Sequence, residues 1–160
     1  MNESLTSGEQ EVIDLYNQIN QKISDTKVPS YQLHWLIQLG GDTPASRFIE
    51  ENIEFLIAHW QKFVVLGIEQ NDLLFLQVFI SGLRKSASQD LRKEMAEFLT
   101  NEDRRIEYEF TKKIDKVLPV DDITRLTGEY HEKRNMIHHV VKDSLNTRLQ
   151  YNHHAKPSTA

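Results

Sequence analysis

Apolar residues recur at spacings of three and four along almost the whole chain, and the strict alternation of a half-buried strand is absent. Residues 9–25 place Val12, Ile13, Tyr16, Ile19 and Ile23 on one face, which predicts an amphipathic helix. Pro29 opens a short apolar segment from Tyr31 to Leu39, closed by Gly40 and Gly41. A third helix is expected from about Pro44, carrying Phe48, Ile53, Phe55, Leu56, Trp60 and Val64. The segment from Asp72 to Leu83 is apolar on most of its circumference, so it belongs in a core.

Ser86 and Gln89 stand at capping-box spacing and predict a helix start. Leu91, Met95, Phe98, Ile106, Phe110, Ile114 and Val117 then trace a face, interrupted by a charge-dense stretch from Asn101 to Arg105. That charged stretch reads most simply as a solvated face, with a coiled-coil pairing surface as the alternative. Pro119 should end the helix, with Asp121 or Asp122 capping the next and Ile123, Leu126 and Tyr130 forming its buried stripe. From Arg134 onward, Met136, Ile137, Val140, Val141, Leu145 and Leu149 give a last apolar face. The expectation is an all-α fold, a compact bundle of about five to six helices. It forms a single domain over residues 1–151, followed by a disordered tail over 152–160.

Composition narrows the classes. A chain of 160 residues suits one domain, and without cysteine there are no disulfides or thiolate metal sites. The first residues lack a basic stretch followed by an apolar one, and the most apolar run, Leu73 to Leu83, is too short to span a bilayer. A cytoplasmic protein with no membrane partner is therefore expected. The net charge of −5 argues against a protein that coats DNA. Charge is uneven, however. From His131 to Lys156 there are five bases against two acids, a local +3, and five of the seven histidines.

The candidate chemistry lies in that basic segment, at Arg134-Asn135-Met136-Ile137-His138-His139. Arginine suits phosphate oxygens, histidine can take and give a proton near neutral pH, and asparagine can hold a hydroxyl or a phosphate oxygen. At about 100° per residue on a helix, Asn135, His139, Lys142 and Asn146 share a narrow polar arc. His138 falls at the edge of the apolar face, which assigns it to packing, to a dimer seam or to the rim of a substrate site. Arg134 lies off the polar arc and would have to reach round or sit at an irregular helix start. Lys133 adds a further cation beside it.

This segment resembles the HEPN superfamily of all-helical proteins, whose signature is an arginine, four to six residues and a histidine, often with a polar residue directly after the arginine. Arg134 to His139 has four intervening residues, with Asn135 in that second place, and Leu126 to Lys133 resembles the lead-in to the motif. The resemblance is sharp over about 25 residues and otherwise rests on helix count and order. Arg125 to His131 and Arg148 to His153 also satisfy the spacing, but each arginine is followed by leucine. The resemblance implies a metal-independent endoribonuclease, without cofactor, assembled as a homodimer. His139 would be its general acid or base, Arg134 would stabilise charge on the phosphate, and Asn135 would orient the phosphate or the imidazole. Lys133, His138, Lys142 and Asn146 would help to bind RNA. Products would carry a 2′,3′-cyclic phosphate and a 5′-hydroxyl. Many such proteins are toxins or phage-defence effectors, paired with an antitoxin protein. One toxin branch has a tyrosine two residues after the histidine, where this chain has Val141.

Competing readings stay open. Arg134 could form an ion pair with Glu129 or Glu132, leaving His139 an ordinary surface residue. No two histidines stand four apart, as a helical metal pair would require. Trp35 and Trp60, each preceded by a histidine, read as core aromatics with boundary imidazoles. From another class, a non-catalytic helical adaptor or an RNA- or nucleotide-binding module fits the same pattern.

Overall fold

The computed structural model describes residues 7–38 and 41–145, with the backbone alone at 30, 31, 34 and 38. Among the described residues there are eight α-helices, one π-helical segment and no strand. The all-α expectation holds. The count exceeds five to six chiefly because the helix expected from Pro44 to Val64 is three: α3 (Pro44–Glu51), α4 (Ile53–Ala58) and α5 (Trp60–Glu69). Asn52 and His59 leave helical geometry, at φ −116° and −124°. Asn52 donates its side-chain amide to the Phe48 carbonyl at 2.9 Å, a local bond that competes with the helical ladder.

The helices fall into two compact units, the first ending at Ser88 and the second starting at Gln89. In the first, α1 (Ser7–Asp25), α2 (Ser30–Gln38) and α3–α5 pack around α6 (Leu73–Ser86). Every residue from Phe75 to Leu83 is buried, as its continuous apolar sequence predicts. Phe79 stacks on Phe75 at 5.3 Å and lies 5.2 Å from Phe63, forming an aromatic centre. Gly82 lets α3 approach, since a Cβ there would lie 2.9 Å from Ile49. Asn71 turns the chain into α6 with φ 53°, a left-handed conformation that asparagine tolerates better than most residues. Asp72 then caps α6 through the Phe75 N–H and accepts bonds from the Tyr16 hydroxyl at 2.6 Å and Asn20 at 3.0 Å. Trp60 is buried, whereas Trp35 is 45% exposed and is not the core aromatic expected.

The second unit is a helical hairpin of α7 (Gln89–Ile114) and α8 (Val120–His139), continued by a π-helical turn, Val140–Ser144. α7 runs without interruption through Asn101 to Arg105, as the single helix expected up to Pro119 does, but Asp103 within that charged stretch is buried and not solvated. Ser86 does not cap α7, because it ends α6. Asp121 and Asp122 stand in the first turn of α8, where they favour its dipole, while Pro119 occupies the cap position. Ile123 is exposed, and Leu126 and Tyr130 are only half-buried, so the expected stripe is incomplete. Met136, Ile137, Val140, Val141 and Leu145 are buried as predicted, and Leu149 lies outside the described residues.

Candidate functional site

Arg134 lies well inside α8, not at a helix start, so residues 126–139 form one continuous helix. Its direction is set by α7. Ala96, Leu99, Asp103 and Ile106 are all buried, at spacings of three and four. Asp103 thus occupies a core position, fully buried, and its carboxylate faces α8. Arg134 donates Nε–H to Oδ1 at 2.8 Å and an Nη2–H to Oδ2 at 2.7 Å, a bidentate pair. A third bond runs from Nη1 to the Tyr130 hydroxyl at 2.7 Å. Tyr130 in turn stacks on Phe110 of α7, with centroids 4.1 Å apart and planes 12° from parallel. The guanidinium is therefore held at its carboxylate edge and again at Tyr130. Its pKa is driven well above the usual value, chiefly by the hydrogen bonds to Asp103, and its charge is permanent.

Arg134 is anchored on a buried carboxylate of the neighbouring helix. Neither Glu129 nor Glu132 supplies that partner. Glu129 accepts from Arg125 at 3.4 Å.

The two neighbouring histidines part company. His138 is not packed away, because its side chain is 47% exposed, and its Nε2 lies 3.5 Å from Asp103 Oδ1. That oxygen is the one that accepts from Arg134 Nε. Arg134 and His138 are four residues apart, so they share a face of α8. His139 is 61% exposed and stands 3.8 Å from Asp143 in the π-helical turn. Asn135 and Lys142 are exposed, and Lys133 is half-buried. Lys142 belongs to the π-helical turn, whose wider register departs from the regular spacing that put it on the arc of Asn135 and His139. Asn146 lies outside the described residues, as do Arg148, His153 and His154. No group of three or more His, Asp or Glu side chains among the described residues could hold a metal ion.

The structure thus brings together Arg134, His138, Tyr130 and Asp103, and sets His139 beside Asp143. Asp103 was missed because it sits in a run of charges. Its signal was its spacing from Leu99 and Ile106. No family model matches the chain, nor does any curated protein or solved structure. No helix among the described residues is long and apolar enough to cross a membrane.

Proposed function

We propose that the chain is a metal-independent ribonuclease of the HEPN kind, acting from the C-terminal part of α8, which carries Arg134, Asn135, His138 and His139. The observation that supports this most is the fixed guanidinium within one to two turns of two exposed imidazoles. A donor held in place before substrate arrives stabilises charge developing on a phosphate without paying reorganisation at the moment of reaction. Imidazole can carry the proton from the ribose 2′-hydroxyl, which then attacks phosphorus and expels the 5′ oxygen. Asn135 and Lys142, both exposed, take phosphate oxygens, with Lys133 adding positive charge nearby. The motif spacing names His139 as the proton-transfer group. A homodimer and an antitoxin protein are the partners this reading carries, with a toxin or phage-defence role.

The test is cleavage of a mixed RNA in EDTA by the wild type and by the double variant His138→Ala/His139→Ala. Cutting that survives EDTA, leaves 2′,3′-cyclic phosphate ends and disappears in the variant is expected. Equal cutting by both, or none by the wild type, would leave a binding module as the better account.

A further inference from the structure

Two imidazoles stand side by side in the sequence, and their surroundings separate them. His138 shares its face with Arg134 and meets the same buried carboxylate oxygen, Asp103 Oδ1. His139 follows Arg134 by five residues, which puts it about 140° round a regular helix from the guanidinium. Its acidic neighbour is Asp143, on its own chain segment and partly exposed, at 3.8 Å.

We propose that His138 is the imidazole that works with Arg134 on the phosphodiester, and that Asp103 is the positioning residue for both. This rests on the ribonuclease reading and assigns its proton-transfer group. A carboxylate beside one ring nitrogen fixes the orientation of the imidazole and stabilises the imidazolium formed when the ring takes a proton. Asp103 is well suited to that role. It is fully buried, its position is set by the packing of α7, and Arg134 holds its carboxylate in plane with two bonds. With the ring proton drawn to Nε2, Nδ1 is the basic nitrogen. The proton passes from the 2′-hydroxyl to Nδ1, and O2′ bonds to phosphorus. The bond from phosphorus to O5′ breaks, and O5′ takes a proton from water. The imidazolium then returns its proton to the hydroxide left behind. No water is consumed and no co-reactant is required.

The experiment compares His138→Ala, His139→Ala and Asp103→Asn in RNA cleavage, each at a temperature where circular dichroism shows it folded. His138→Ala should lose about 10²–10⁴-fold in kcat, the span of general acid–base catalysis, and regain part of it with added imidazole. His139→Ala should lose at least tenfold less than His138→Ala. Asp103→Asn should lower kcat with little change in KM, a split that mere loosening of the hairpin would not produce. Loss confined to His139→Ala, or His138→Ala cutting at the wild-type rate, would overturn the assignment while leaving the ribonuclease reading intact. If the wild type cuts no RNA, the ribonuclease reading falls. The assignment is then decided by NMR with uridine 3′-monophosphate as probe. Shifts larger at the His138 ring than at His139 support it, and no shift at His138 overturns it.

Discussion

Arg134 and Asp103, on different helices and 31 positions apart in sequence, form a bidentate ion pair with bonds of 2.8 and 2.7 Å. The carboxylate is fully buried and the guanidinium side chain 22% exposed, so the pair seals α7 to α8 from within. A buried pair need not exceed an apolar replacement in stability, but breaking one is costly, because the partner left behind is an uncompensated charge. Arg134→Met should therefore destabilise the chain by roughly 3 kcal/mol. Asp103→Leu combined with Arg134→Met should recover most of that loss. Urea unfolding of the wild type, each single variant and the double variant checks the cycle. Additive single effects would mean that the two residues act separately.

A second carboxylate supports a different prediction. Asp72 accepts from the Tyr16 hydroxyl at 2.6 Å, and burial together with that bond raises the tyrosine pKa from 10.0 to about 12. A folded-state value raised above the unfolded one gives stability that is complete below the unfolded pKa and is lost as pH climbs through the folded one. The window here runs from pH 10 to about 12. Unfolding midpoints should therefore fall across that window in wild type by more than in Tyr16→Phe. At neutral pH the same variant should be less stable by about 1 kcal/mol, the usual worth of one hydrogen bond. Ultraviolet titration of the phenols should show a group titrating at about pH 12 disappear with Tyr16→Phe.

Packing arguments separate the two ends of α8. Ile137 is fully buried, whereas Val120 is 76% exposed and Val117, in the turn before it, completely so. Ile137→Ala should cost about 2–5 kcal/mol, and Val117→Ser should stay within about 0.5 kcal/mol of wild type. Thermal melts of the two variants distinguish them. A large loss from Val117→Ser would mean that the hairpin tip is covered in solution.

These contrasts mark what could be read from the sequence. The buried run of α6 was legible because apolar residues fill its whole circumference, and the face of Met136, Ile137, Val140 and Val141 because it is uninterrupted. The breaks at Asn52 and His59 were not, since neither glycine nor proline marks them and the asparagine acts by a local side-chain bond. Asp103 was hidden by its type. Charges among charges read as a solvated face, and the partner on α8 makes burial tolerable. Arg134 and the histidines were legible as residues worth naming, but their grouping was not. Which histidine meets the arginine's carboxylate is decided by contact between helices, and sequence spacing does not record that.

The basic surface of α8 offers a last prediction, which depends on the ribonuclease reading. Lys142 is exposed in the π-helical turn directly after His139. A lysine on a phosphate contributes through counterion release, whereas a neutral asparagine contributes through hydrogen bonds alone. Lys142→Gln should therefore weaken single-stranded RNA binding and flatten the plot of log affinity against log salt by about 0.7. Asn135→Ala should weaken binding without changing that slope. Fluorescence anisotropy at several salt concentrations, using a chain with both His138 and His139 replaced by alanine to prevent cutting, measures both. An unchanged slope in Lys142→Gln would place the phosphate path on another face of the hairpin.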